Sequence, residues 1–220
     1  MLKENFWYNR QVLYLQVCRD SALILQRKNF MEKKNYADEN DISRDLYFAI
    51  HEVVFSAKYN KQRLDVPTFQ ANAQPSVKDK IKVKREDKCP DFLWSYFDYV
   101  NRRRRDFHIE CKRLRKEKNY HCREYVNNGL NRYLDKEWSY GLDCEKGLMI
   151  GYVEELAIEE CIAEIEQNLT KMALPILQKL VMDINFVEVV FLYHVLDRTD
   201  IPITPFELHH YLIKIVNDKA

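Results

Sequence analysis

The feature that most constrains the fold is a strict alternation of apolar and polar residues at 107–112, which read Phe-His-Ile-Glu-Cys-Lys. Successive side chains of a β-strand point to opposite faces, so this pattern is typical of a strand with one buried face. Glu110 and Lys112 then project side by side from the polar face, together with His108. Cys111 belongs to the opposite, apolar face.

A second strand is predicted just before this one. The apolar run at 93–97 is typical of a strand, and the polar, arginine-rich segment 98–105 is typical of a turn that pairs the two strands antiparallel. One of the possible registers places Asp91 opposite Glu110. The sequence permits this register without fixing it.

Asp91, Glu110 and Lys112 are the residue types that a magnesium-dependent phosphodiesterase needs. Mg²⁺ prefers oxygen ligands in octahedral geometry and is usually held by one or two carboxylates together with waters and phosphate oxygens. The two carboxylates and the main-chain carbonyl of Cys111 are candidate ligands for Mg²⁺, with Mn²⁺ as a substitute. The ammonium of Lys112 is placed to stabilise developing negative charge and to orient the attacking water.

These residues have two alternative interpretations. A Glu-x-Lys triplet is common in a chain that is 31% charged, and a solvated strand face would carry such a pair for solubility alone. A zinc site built from His108, Cys111, His121 and Cys122 is the second alternative. It is disfavoured because His108 and Cys111 are expected on opposite faces of the strand.

Pro90, Asp91, Glu110 and Lys112 resemble the signature of the PD-(D/E)XK nuclease superfamily. The resemblance covers a core of about 38–155. It implies an α/β fold, namely a restriction-endonuclease-like mixed β-sheet core flanked by helices, here with an extra N-terminal helix. It also implies Mg²⁺ dependence and cleavage of nucleic acid, with DNA rather than RNA as the expected substrate.

The resemblance further implies an acidic residue on the helix before the first core strand. An apolar stripe at helical spacing runs through Ile42, Leu46, Ala49, Ile50 and Val53. Glu39 lies one turn before this stripe on its inward side and is the candidate metal ligand, with Asp45 second. The alternative is that Asp38, Glu39 and Asp41 only cap the helix.

Positive charge is concentrated around the candidate site. Residues 102–118 contain nine Lys and Arg against three Asp and Glu, although the formal charge of the chain is only +1. Such a patch is expected to contact the phosphates of a polyanion; a solvated hairpin tip is the alternative. The candidate nucleic-acid-binding residues are Arg102, Arg103, Arg104, Arg105, Arg113, Arg115 and Arg132, the last on a helix after the second strand. The run 78–88 adds further basic residues.

Periodicity and turn residues predict the remaining elements. Helices are predicted over 3–33, 41–59, 120–136, 154–179 and 205–217, and strands near 81–84, 92–97, 106–114, 148–153 and 186–196, with a loop at 66–79. The last helix rests on a capping box at 204–207, with a closing strand as the alternative. The predicted organisation is an N-terminal helical segment, 1–36, packed as one unit with a nuclease-like domain, 37–220.

Composition excludes several classes of protein. All four glycines lie between 129 and 151, so no glycine-rich nucleotide-binding loop can be built. The six cysteines form no CxxC pair, and neither a signal peptide nor a membrane span is evident. These features predict a cytoplasmic protein with reduced thiols.

The site residues predict a metal-dependent nuclease; the resemblance implies an endonuclease that hydrolyses DNA and a role in defence against foreign DNA. A chain of 220 residues leaves little room for a separate recognition domain. Specificity is therefore expected from a homodimer or a partner protein. Two alternatives stay open: a non-catalytic nucleic-acid-binding or assembly subunit that keeps the fold, and an RNA-directed toxin.

Overall fold

A mixed β-sheet of seven strands runs through the protein in a computed structural model, which describes residues 4–70, 90–99, 101–116, 120–138, 140–180, 188–199 and 201–216. The sheet has the strand order β1-β2-β3-β4-β7-β6-β5. The strands are β1 Thr68–Phe69, β2 Phe92–Asp98, β3 Arg103–Leu114, β4 Lys146–Val153, β5 Gln178–Lys179, β6 Val189–Leu196 and β7 Phe206–Lys214. Helices cover both faces, so the α/β class with a helix-flanked mixed sheet is confirmed.

The predicted hairpin is present as β2 and β3. Its register is the one that aligns Asp91 with Glu110, which the sequence permitted without fixing. The two strands are antiparallel, with Phe92 paired to Ile109 and Leu93 to His108. One step further along, this register brings Asp91 level with Glu110. The apolar residues Phe107, Ile109 and Cys111 are fully buried, as the alternation predicts.

The central strands β3, β4 and β7 are parallel to one another, and every residue of β4 is buried. The helix predicted over 205–217 is wrong, because Phe206–Lys214 forms strand β7 beside β4. This strand is covered on both faces, so residues 208–213 are all buried and show no period-2 alternation. Its apolar residues at 208, 211, 212 and 215 also fall at helical spacing, so the segment can be mistaken for a helix.

Helices α1, Glu4–Glu32, and α2, Glu39–Val54, cover one face of the sheet. They confirm the predicted helices 3–33 and 41–59, the second ending earlier than expected. The Tyr14 ring of α1 stacks on Trp94 of β2, with ring centroids 4.6 Å apart. Asp38 caps α2 by accepting a hydrogen bond from the Asp41 amide, and the apolar stripe of α2 is buried against α1 and the sheet.

Helical segments on the other face follow β3 and β4. Tyr120–Glu124 (α3), a π-helix Tyr125–Leu130 and Asn131–Leu134 (α4) replace the single helix predicted over 120–136. Helix α5, Ile158–Lys171, is shorter at both ends than the helix predicted over 154–179, and β5 occupies part of its expected C-terminal end.

Some predicted features can be compared with the structure only in part. The strand at 81–84, the basic run 78–88 and most of the loop at 66–79 lie outside the described residues. Among the described helices, none is both long and apolar enough to cross a membrane. The five cysteines in the described ranges are buried and free.

A buried arginine fixes the loop that follows α4. The guanidinium of Arg198, which is 2% exposed, donates hydrogen bonds to the carbonyls of Gly141 (3.2 Å) and Ile203 (2.5 Å). It also lies 3.8 Å from the centre of the Phe206 ring. Weaker contacts reach the carbonyls of Tyr133, Tyr140 and Cys144. Arg198 therefore joins the loop at 140–144 to the start of β7.

We predict that Arg198→Lys lowers the free energy of unfolding by about 2–3 kcal/mol, because an ammonium cannot reach several carbonyls at once and hydrogen bonds to charged groups are worth about 1.5–3 kcal/mol. Urea denaturation followed by circular dichroism measures this. The control is Arg44→Lys, since the Arg44 side chain is 56% exposed. Equal stability of both variants would contradict the structural role of Arg198.

Candidate active site

The candidate site lies where the pairing between β2 and β3 ends and β3 continues without β2 beside it. The pairing of the two strands ends at Phe92 and Ile109, whereas β3 continues beside β4 as far as Leu114. Within the described chain, the edge of β3 that faced β2 therefore has no neighbouring strand from Glu110 onward. Its main-chain N–H and C=O groups need other partners, because unpaired backbone groups are costly to bury.

Two carboxylates accept hydrogen bonds from β3 main-chain N–H groups that have no neighbouring strand to bind. Asp91, just before β2, accepts a hydrogen bond from the main-chain N–H of Cys111 at 2.7 Å. Glu39, at the start of α2, accepts one from the N–H of Arg113 at 2.6 Å. Both carboxylates are therefore held at the same edge of β3 by the backbone itself, although they come from distant parts of the sequence.

Lys112 joins these groups to Glu110. Its Nζ donates a hydrogen bond to the carbonyl of Cys111 at 2.8 Å and lies 2.6 Å from Glu110 Oε1. Glu39 Oε1 lies 3.5 Å from the same nitrogen. All of the predicted catalytic and metal-binding residues are thus brought together: Glu39, Asp91, Glu110, Cys111 through its carbonyl, and Lys112. Asp45, the second choice for the helix acid, instead binds Lys34 and Tyr36.

Arg132 approaches the site from the opposite face of the sheet to α1 and α2. Its Nη1 lies 2.5 Å from Glu110 Oε2. The guanidinium lies over the ring of Trp138, 4.4 Å from its centroid, and 5.9 Å from that of Tyr140. These two aromatic residues fix Arg132 through cation–π contacts. Sequence analysis did not find them, because they lie in an irregular loop with no periodic signal.

The π-helix brings the chain close to β3 in front of Arg132. A Cβ atom at Gly129 would lie 2.4 Å from Met149 Cε, 3.6 Å from Lys112 Cγ and 3.8 Å from Glu110 Cγ. Because Gly129 has no side chain, the Met149 side chain can pack in this space next to Glu110 and Lys112. Single π-helical turns within α-helices occur frequently at functional sites.

The charged groups of the site strongly influence one another's pKa values. Glu110 is 0% exposed, and this burial raises its pKa although Lys112 and Arg132 act in the opposite direction. Burial and the negative charge of Glu110 raise the pKa of Asp91 to about 7. Burial alone would lower the pKa of Lys112, but Glu110, Glu39 and Asp91 outweigh it and the pKa is raised.

The donor set of this cluster suits a hard, oxygen-seeking cation. Asp91, Glu110 and the Cys111 carbonyl offer only oxygen, which matches the preference of Mg²⁺ for one or two protein carboxylates. Glu110 Oε1 is buried and makes no hydrogen bond of acceptable geometry, despite its closeness to Lys112 Nζ. Among the described residues, no group of three or more His, Cys, Asp or Glu is arranged to hold a metal ion. A bound ion would therefore depend on waters or substrate for its remaining ligands.

The zinc hypothesis finds no support in this geometry. The His108 ring stacks on Tyr140 at 4.5 Å, and its Nδ1 accepts a hydrogen bond from the Gly141 N–H at 3.4 Å. Burial lowers the pKa of His108 to about 4. Cys111 lies on the opposite, buried face of β3. His108 is therefore a packed residue beside the site.

The predicted nucleic-acid-binding arginines are not equally accessible. Arg113 is nine-tenths buried and binds Glu154 and the carbonyls of Tyr36 and Ala37. Arg105 pairs with Asp98 and is 8% exposed. Both guanidinium groups stabilise the fold. The more exposed members of the set have these ion-pair partners: Arg103 with Asp143, Arg104 with Asp106, and Arg115 with Glu154. Arg102 is exposed at the hairpin turn.

The chain was compared with family models, with curated proteins and with solved structures, and none of the three comparisons found a match. The case for a function therefore rests on the geometry of the site and on the motif resemblance.

We predict that Glu110→Gln lowers the pKa of Asp91 below 7 in the metal-free protein. The reason is that a neighbouring negative charge favours the protonated carboxyl, and the substitution removes that charge while Asp91 stays half-buried. The measurement is a pH titration of the side-chain ¹³C resonance of Asp91 in the presence of a chelator. Glu207→Gln, at the start of β7, is the control and leaves the titration unchanged. An unchanged Asp91 pKa in Glu110→Gln would show that the two carboxylates are not coupled.

Proposed function

We propose that the protein is a metal-dependent nuclease that hydrolyses phosphodiester bonds in DNA. The observation that carries this proposal is the convergence of Glu39, Asp91, Glu110 and Lys112 on the open edge of β3, with the Cys111 carbonyl between them. Three separate parts of the chain supply these groups. A solubility role for the Glu-x-Lys pair does not account for the burial of Glu110 or for the two carboxylates that replace a strand.

Each residue of the site has a separate role in the proposed hydrolysis of a phosphodiester bond. Asp91, Glu110 and the Cys111 carbonyl would hold Mg²⁺ or Mn²⁺, which acidifies water and neutralises charge on the phosphate. Lys112 would orient the attacking water and stabilise the negative charge that develops on the phosphate oxygens. Arg132, which lies over Trp138, would contact the phosphate after its contact with Glu110 is broken. Glu39, predicted as a further metal ligand, accepts the Arg113 N–H and lies 3.5 Å from Lys112 Nζ, so it would also hold Lys112 in place.

The order of elements supports a restriction-endonuclease-like core within the mixed sheet. An acid-bearing helix, α2, precedes the β2–β3 hairpin, and a helical segment then leads to the parallel strand β4. This order places the helix acid, the Asp before the hairpin and the Glu-x-Lys pair at one edge. The assignment to the PD-(D/E)XK superfamily is part of the proposal.

Nucleic acid is the substrate class that the charge around the site favours. Nine Lys and Arg fall within residues 102–118 of the sequence, and of these Arg102, Arg103, Arg104 and Arg115 retain exposed surface. DNA rather than RNA follows from the motif resemblance. A homodimer or a partner protein would supply specificity, and defence against foreign DNA is the proposed setting, in the cytoplasm.

We predict that Glu110→Gln and Lys112→Met each reduce cleavage of plasmid DNA in Mg²⁺ or Mn²⁺ by about 100-fold or more, because loss of one group that stabilises transition-state charge typically costs that much. Gel electrophoresis of the plasmid over time measures the rate. The matched controls are Glu52→Gln and Lys28→Met, which break an exposed ion pair of 2.7 Å elsewhere and keep wild-type activity. Chelation of the metal abolishes cleavage in every active protein.

The alternatives give different results in the same assay. Cleavage of RNA but not DNA, lost in the same two variants, would support an RNA-directed enzyme. Nucleic-acid binding without cleavage in any metal, unchanged in Glu110→Gln, would support a non-catalytic binding or assembly subunit. Circular dichroism of each variant separates loss of activity from loss of folding.

A further inference from the structure

The turn between β2 and β3 carries two large aromatic side chains that the fold leaves exposed. Phe97 is 47% exposed and Tyr99 is 80% exposed. Their rings pack against each other edge to face, with centroids 4.8 Å apart and an angle of 73°. Because both rings expose apolar faces to water, this pair is suited to binding a flat partner.

The aromatic pair lies on the same face of the hairpin as the candidate active site. Phe97 is the direct cross-strand partner of Arg104. Side chains of β3 alternate between faces, so Arg104 shares its face with Glu110 and Lys112. Glu110 lies six residues further along β3 than Arg104, a distance of roughly 20 Å at about 3.3 Å per residue.

Two arginines, Arg102 and Arg104, lie in the same hairpin as the exposed rings. Arg104 is held beside Phe97 by hydrogen bonds to Ser95 and Asp106, each 2.7 Å long. Arg102 is exposed at the turn, whereas Arg103 pairs with Asp143 at 2.9 Å and, by the alternation of β3, projects from the opposite face. Residues 98–106 contain four arginines and two aspartates. Exposed aromatic rings among oriented arginines are the combination that binds single-stranded nucleic acid, through base stacking and phosphate contacts.

We propose that the β2–β3 turn is a stacking platform for unpaired bases of single-stranded DNA, at a distance of several nucleotides from the scissile phosphate. Duplex DNA buries the faces of its bases within the helix and cannot use the platform, except at a frayed end. The platform therefore gives the protein a preference for single-stranded substrate. The preference for a single-stranded substrate rests on the proposed nuclease function. The preference for binding single-stranded DNA does not depend on that function.

The test compares the binding of two fluorescent probes in a chelator, where no cleavage occurs. One probe is an oligothymidylate of about 15 nucleotides, a length within the usual range for a single-strand site, and the other is a duplex of the same length. Fluorescence anisotropy gives Kd for the wild-type protein and for Phe97→Ala/Tyr99→Ala. The matched control is Phe48→Ala/Phe55→Ala, because Phe48 on α2 and Phe55 at the C-terminal cap of α2 are also large exposed aromatic residues.

The platform predicts that Phe97→Ala/Tyr99→Ala weakens binding of the oligothymidylate by about 5- to 150-fold, the range for loss of one stacked base. Duplex binding changes less than about twofold, and the control variant binds both probes like the wild type. Phe97→Trp/Tyr99→Trp retains tight binding, since indole rings also stack. Equal losses for both probes, no loss, or an equal loss in the control variant would overturn the inference.

Cleavage assays separate this inference from the proposed function. If the double alanine variant loses single-strand binding while wild-type protein cleaves neither probe in Mg²⁺ or Mn²⁺, the platform is supported and the nuclease proposal fails. If wild-type protein cleaves DNA and the double alanine variant binds and cleaves both probes normally, the platform is overturned and the nuclease proposal stands.

Discussion

The candidate site depends on one structural event, the separation of β2 from β3 after the Phe92–Ile109 pair. A strand that continues beyond its neighbour exposes N–H and C=O groups that have to be satisfied. Asp91 and Glu39 satisfy the amides of Cys111 and Arg113, and Lys112 satisfies the Cys111 carbonyl. Backbone hydrogen bonding thus places two carboxylates and an ammonium together without any long side-chain network.

Charge balance is the second constraint on the site. A fully buried carboxylate such as Glu110 is unstable without partners. Lys112 and Arg132 supply two positive charges at once, and Arg132 is in turn held by Trp138 and by the loop that Arg198 anchors. The partners of Glu110 are also the groups that would stabilise a bound phosphate. The same residues that keep the metal-free site stable are therefore the ones that the proposed chemistry needs.

The sequence predicted the parts of the fold that alternate or repeat. The period-2 pattern at 107–112 and the apolar stripe of α2 correctly indicated a strand with Glu110 and Lys112 on one face and a helix with Glu39 turned inward. Strand β7 was only the alternative to a predicted helix, because it is buried on both faces and loses its alternation. Trp138 was missed because its contact with Arg132 depends on a loop, and the register that aligned Asp91 with Glu110 was fixed only by tertiary packing.

The central claim is that Asp91 and Glu110 form a cation site at the open edge of β3. The most direct test is anomalous diffraction from crystals of the protein soaked in Mn²⁺, compared with crystals of Asp91→Ala treated identically. We expect an anomalous peak between the two carboxylates and beside the Cys111 carbonyl, with Lys112 Nζ displaced from that oxygen, and no peak in Asp91→Ala. Wild-type crystals with no peak at this edge, and with Lys112 still bound to the Cys111 carbonyl, would contradict the claim.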